Sequence, residues 1–167
     1  MRPLAATLLI SLLIVLDQVS KWATVVHLPF QRDVDLAPFL ALFHTYNYGI
    51  AFSMLAGLGA WGLVLVGLVV LVVVCVLWWQ TPRTRTLAHV AFAMIVAGAV
   101  GNLIDRVSLG YVVDMIRFHL PDDSWSFAVF NLADTWISLG AALIVIDELV
   151  SWRRGRAASQ AGQTPDE

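Results

Sequence analysis

Charge is scarce in this chain: Asp, Glu, Lys and Arg supply 13% of its 167 residues, whereas hydrophobic side chains supply 59%. That shortage excludes an ordinary soluble domain, in which about a quarter of the residues are charged. Cysteine occurs once, which excludes an internal disulfide. Cys75 lies in Val72-Val73-Val74-Cys75-Val76 with no cationic neighbour and is expected to serve packing. His27, His44, His89 and His119 have neither the i, i+4 nor the cysteine-paired spacing of a zinc site. No metal is expected, and the histidines read as interfacial or loop residues. A formal net charge of -2 without a basic run in the outer loops gives no nucleic-acid footprint.

Long apolar runs are what the chain has instead. A hydrocarbon core of about 30 Å takes roughly 20 helical residues to cross, and residues 4–26, 60–79, 87–104 and 130–152 qualify. The run at 4–16 follows Arg2 as a secretory leader would, but Asp17-Gln18-Val19-Ser20-Lys21-Trp22 comes next in place of a small-residue cleavage site, so a retained span is expected. Arg2, Arg83, Arg85, Arg153, Arg154 and Arg156 flank both termini and the link between the second and third spans. By the positive-inside rule those three places are cytoplasmic. Trp22 and Trp61 then mark the outer interface, and Trp78, Trp79 and Trp152 the inner one.

Two outer segments remain. Residues 30–36 and 39–46, parted by Ala37-Pro38, have strand composition, as do 111–120 and 125–130 on either side of the turn Pro121-Asp122-Asp123-Ser124. Residues 50–58 are apolar but too short to cross, which suits an interfacial helix or flap. The expected fold is an all-α membrane protein: a four-transmembrane-helix bundle with a small extracytoplasmic β-sheet and that flap. Residues 1–154 form one integral membrane domain, and 155–167, small and polar, a disordered cytoplasmic tail.

Polar residues gather near the outer ends of the spans. Asp17 and Lys21 are four apart, in the favourable order for a helical ion pair. Asn47-Tyr48-Gly49 has the composition of a tight turn. Asn102, Asp105 and Arg106 share a helix face, beside Gly98 and Gly101, which allow close helix approach. Asn131 and Asp134 are three apart at the start of the fourth span, as a capping pair would be. Asp114 stands in Val112-Val113-Asp114-Met115-Ile116. Each has a structural explanation alone. Together they are ionisable groups at membrane depth, which serve function by default. Two carboxylates brought together share a proton, so one can activate water while the other protonates a carbonyl. That is aspartic peptidase chemistry. Two rivals are a Ser/Lys dyad using Ser20 or Ser53 with Lys21, and a small transporter or channel relaying protons through Asp17, Asp114 and Asp134.

The motifs Asp17-Gln18 with Lys21, Asn47-x-Gly49-x-Ala51-Phe52, Gly98-Ala99-Val100-Gly101-Asn102-x-x-Asp105-Arg106, Val112-Val113-Asp114 and Phe130-Asn131-x-Ala133-Asp134 resemble the bacterial lipoprotein signal peptidases, or signal peptidase II. Ala97 stands where that family often has Gly, and Met115 where Phe is common. The resemblance implies a membrane aspartic endopeptidase of the bacterial inner membrane, without cofactor. It implies cleavage of prolipoproteins on the amino side of a diacylglyceryl-modified cysteine, and inhibition by globomycin. Asp114 and Asp134 map to its catalytic aspartates. Asp17, Lys21, Asn47, Gly49, Asn102, Asp105, Arg106, Asn131 and Ala133 map to positions that bind substrate or orient the dyad. Membrane lipids are the remaining expected partner, and a monomer the expected state.

Overall fold

A computed structural model describes residues 3–49, 56–122 and 124–161. Its elements run α1 (Pro3–His27), β1 (Asp33–Ala37), β2 (Leu40–Asn47), a 3-10 turn (Ala56–Leu58), α2 (Gly59–Gln80), α3 (Thr86–Ser108), β3 (Val112–Phe118) and α4 (Leu132–Ala161). α1, α2 and α3 are each long and apolar enough to cross a bilayer. Leu8, Leu12, Val15 and Val19 of α1, and Leu65, Val69, Val72 and Val76 of α2, are exposed. Side chains that water would expel are here turned outward, as a lipid-facing surface requires.

α3 is the centre of the bundle and packs against α1, α2 and α4. Its buried face is built from small residues, Ala88, Ala91, Ala93, Ala97, Gly98 and Gly101, so neighbouring backbones approach closely. A Cβ at Gly98 would overlap the Ala133 carbonyl oxygen of α4, and one at Gly101 would overlap the Asp17 carboxylate of α1. Toward the other end of α3, Arg85 pairs with Asp147 and Glu148 of α4. There Trp78 Nε1 also donates to His89 Nδ1 at 2.7 Å.

The strands form one antiparallel sheet in the order β1-β2-β3, with irregularities between Asp35 and Ala37 and between Leu42 and Thr45. Pro38 makes the first turn because it cannot donate to the ladder. In the β2–β3 register Thr45 stands opposite Asp114 and Asn47 opposite Val112.

Several expectations need correction. Residues 125–130 form no strand; only isolated bridges tie Ser126 to His119 and Phe130 to Ile116. α4 starts later than the hydropathy of 130–152 suggests, because Phe130 bridges to β3 and Asn131 serves as cap. It also continues to Ala161, into the segment read as a disordered tail, where Ala157, Ala158 and Ala161 favour helix. Of the expected flap at 50–58, residues 50–55 lie outside the described residues, and 56–58 form the 3-10 turn. Cys75 is exposed rather than packed, since α2 rests on α3 alone among the helices with substantial contact. His44 and His89 are buried within β2 and α3, not placed in loops.

Candidate active site

The polar ends of α1, α3, β3 and α4 meet at one place. Its base is an ion cluster around Lys21, whose Nζ lies 2.9 Å from Asp17 Oδ2, 3.0 Å from Asp105 Oδ2 and 3.0 Å from Asn102 Oδ1. Asp17 is 0% exposed, Lys21 3% and Asp105 3%. Charges this deep persist only when paired and fully hydrogen-bonded. The remaining valences are filled accordingly: Asp17 Oδ1 accepts the Ala133 N–H at 2.9 Å, and Asp105 Oδ2 accepts the Val113 N–H at 3.1 Å. Gln18 Nε2 reaches Asp105 Oδ1 at 3.0 Å and Asp17 Oδ2 and the Gly101 carbonyl oxygen at 3.2 Å each. The cluster thereby locks the starts of β3 and α4 onto α1 and α3.

Above it three asparagines carry the contacts onward. Asn102 Nδ2 donates to Asp134 Oδ1 at 2.8 Å. Asn131 Nδ2 donates to Asp114 Oδ1 at 2.6 Å and to Asn102 Oδ1 at 3.2 Å. Asn131 and Asp134 also cap α4 reciprocally, with the Asp134 N–H donating to Asn131 Oδ1 at 3.0 Å and the Asn131 N–H to Asp134 Oδ2 at 3.3 Å. Asn47 Nδ2 donates to Asp114 Oδ2 at 3.0 Å, and Asn47 Oδ1 accepts the Gly49 N–H at 2.9 Å. Asn131 therefore touches both aspartates, and two amides grip Asp114.

Asp114 is buried on β3. Burial pushes its carboxyl up to about 7, the nearby Asp134 charge adds to this, and the bonds from Asn47 and Asn131 oppose it. A carboxyl in that range exchanges protons near neutrality.

Arg106 spans the gap between α3 and the end of β2. Its Nη2 donates to the Gly49 carbonyl oxygen at 2.7 Å and its Nη1 to the Asn102 carbonyl oxygen at 3.4 Å. Its Nε is buried without a hydrogen-bond partner among the described residues. The guanidinium thus holds backbone carbonyls rather than a neighbouring carboxylate.

All the expected site residues fall in this one region, though at two depths. Asp17, Lys21, Asp105 and the Ala133 backbone belong to the buried foundation, while Asn47, Asn102, Asn131 and Arg106 surround Asp114 and Asp134. Gln18 was not singled out as a site residue; its signal was a polar side chain inside an apolar span, next to Asp17. The Ser/Lys rival fails on geometry at Ser20, and Ser53 lies outside the described residues. The Ser20 hydroxyl donates to the Asp17 carbonyl oxygen at 2.7 Å, and Lys21 is held by two carboxylates. The proton-relay rival meets an apolar stretch, because Ala91, Ala93 and Ala97 fill the buried α3 face between this site and Asp147.

Known proteins resemble this chain in sequence and in fold. The family model described as Signal peptidase (SPase) II matches residues 9–150. A lipoprotein signal peptidase of Sinorhizobium fredii is 49% identical over 156 residues, covering 93% of each chain. One of Mesorhizobium japonicum is 53% identical over 147 residues, covering 88% of this chain and 86% of its own. Two solved structures, each described as a bacterial membrane enzyme, share the fold. One superposes with a TM-score of 0.80 at 24% identity, covering 100% of this chain and 96% of the other. The second gives 0.77 at 27% identity, covering 89% and 95%.

Proposed function

This chain belongs to the signal peptidase II family, and from that membership we propose that it is an aspartic endopeptidase cleaving prolipoproteins on the amino side of a diacylglyceryl-modified cysteine. The observation that carries the dyad is Asn131, whose amide donates to Asp114 while its carbonyl oxygen and backbone N–H hold Asp134.

The roles follow from the surroundings. Asp134 stands in the first turn of α4, where the helix dipole favours a negative charge. Asp114 lies deeper, with its carboxyl pushed up to about 7 by burial. The shared proton rests on Asp114. Asp134 takes a proton from water as the water oxygen attacks the scissile carbonyl carbon, and Asp114 gives its proton to the carbonyl oxygen. The tetrahedral intermediate then collapses: its hydroxyl returns a proton to Asp114, the C–N bond breaks, and Asp134 protonates the departing amine. Asn47, Asn102 and Arg106 keep the carboxylates and the Asn47–Gly49 turn in place, and no metal enters any step.

α4 is the fourth span in this reading, both termini are cytoplasmic, and the site lies at the outer face, where a lipidated cysteine presents its amide. Prolipoproteins and membrane lipids are the partners, globomycin-type cyclic peptides the inhibitors, and the enzyme acts as a monomer. Arg85 and the arginines after Trp152 lie at the opposite end of α3 and α4 from the dyad, which supports that orientation. The test is cleavage by the purified chain of a diacylglyceryl prolipoprotein peptide beside its unlipidated counterpart. Cleavage of the lipidated peptide alone is expected; equal cleavage of both, or of neither, would reject the substrate assignment.

A further inference from the structure

Each asparagine around the dyad has two chemically opposite ends, an oxygen that accepts and an NH2 that donates. Which end meets a carboxylate depends on what holds the other. For Asn47 the holder is the Gly49 N–H, and for Asn131 it is the Asp134 N–H. For Asn102 it is the Lys21 ammonium at 3.0 Å, joined by the Asn131 NH2 at 3.2 Å. Every holder is a group that can only donate. Each therefore takes the amide oxygen and leaves the NH2 facing Asp114 or Asp134.

We propose that Lys21 is a positioning residue acting on the dyad through Asn102: its ammonium holds the Asn102 oxygen and so turns the Asn102 NH2 onto Asp134. This rests on the peptidase reading above. Lys21 has no hydrogen bond to either Asp114 or Asp134 among the described contacts, and its own carboxylate partners are Asp17 and Asp105. Its hydrogen-bonded link to the reacting groups therefore passes through one amide, while its charge also acts on Asp114 through space. Without the ammonium only the longer bond from the Asn131 NH2 holds the Asn102 oxygen, so the side chain turns more readily to present that oxygen to Asp134, placing two acceptors face to face. A charged hydrogen bond to the amide oxygen also polarises the NH2, strengthening its bond to the carboxylate.

Lys21→Met alone leaves two buried carboxylates without a cation. The test pairs it with Asp105→Asn, which keeps the net charge of the cluster unchanged, and repeats the pair in an Asn102→Ala background. Wild type and variants are purified as full chains in detergent and assayed on the lipidated peptide. Wild-type cleavage tests the peptidase reading itself, and the variants test Lys21. In the wild-type background the pair is expected to lower kcat roughly 10–100-fold with KM little changed, as misplacing a catalytic group does. In the Asn102→Ala background the same pair should have almost no further effect on kcat, because the two changes remove one interaction. Equal losses in both backgrounds, or no loss in the first, would overturn the proposal. Should the pair not fold, Lys21→Arg decides, since a guanidinium also can only donate: it should lose less than about tenfold in kcat, and a larger loss at unchanged KM in folded protein would overturn the assignment.

Discussion

At the scale of single residues, Asp114 and Asp134 are distinguished by their surroundings rather than by their chemistry. Asp114 is 1% exposed, and burial moves its carboxyl up to about 7. If it donates the catalytic proton, the active form exists below that value and disappears as the pH rises through it. The kcat/KM profile should therefore fall on its alkaline side with a limb near neutrality; a profile flat well into the alkaline range would contradict the assignment. Lys21 makes a second case. Removing one member of a buried ion pair leaves the other uncompensated and costs about 3–5 kcal/mol, so Lys21→Met should lower the unfolding temperature in detergent far more than loss of an exposed pair, which is worth about 0–1 kcal/mol. A shift of only that smaller size would show that the cluster is open to solvent. The sequence marks Asp17, Lys21 and Asp105 as site residues but pairs only the first two. Asp17 and Lys21 announce themselves by helical spacing, whereas Asp105 and Gln18 join only because α1 packs on α3, and no local pattern encodes that contact.

At the scale of elements, the small-residue face of α3 decides whether the site assembles. Gly98 touches the α4 backbone so closely that an added methyl meets a carbonyl oxygen, which cannot swing aside as a side chain can. Gly98→Ala should destabilise the protein by about 1–3 kcal/mol, as overpacking does, and should lower activity by pushing Asp134 away from Asn102. Unchanged thermal stability would mean that the helices can separate without penalty. Helix positions were legible because apolar runs of membrane length leave few alternatives. The limits of α3 and α4 were less so. α3 carries Asn102, Asp105 and Arg106 as ordinary helical residues to Ser108, since their polar groups turn inward onto α1, β3 and the Asn47–Gly49 turn. β1, β2 and β3 followed from composition and the Pro38 turn. Residues 125–130 misled for the same reason: aromatic content suits a strand, but pairing depends on a free edge in register, and only isolated bridges form there.

At the scale of the whole molecule, two polar centres sit at opposite ends of an apolar bundle. One is the proposed dyad with its ion cluster; the other joins Arg85 to Asp147 and Glu148 beside the Trp78–His89 bond. The proposed orientation places the first outside the cytoplasmic membrane. In a Cys75→Ser chain, a cysteine introduced at Ser124 should react with a membrane-impermeant maleimide in intact cells, and one at Thr84 only after permeabilisation. The reverse pattern would invert the topology. Family and membrane character were readable from motif order and composition, and the likeness to lipoprotein signal peptidases bears that out. What the sequence alone did not convey is the separation of the site into a buried foundation and an amide layer, because depth arises only when four elements converge. The central claim is that Asp114 and Asp134 together hydrolyse the amide, and its most direct measurement is single-turnover cleavage of the lipidated peptide by wild type, Asp114→Asn and Asp134→Asn. Both variants should remain folded and lose about 10²–10⁴-fold in rate; near wild-type turnover by either one would contradict the account.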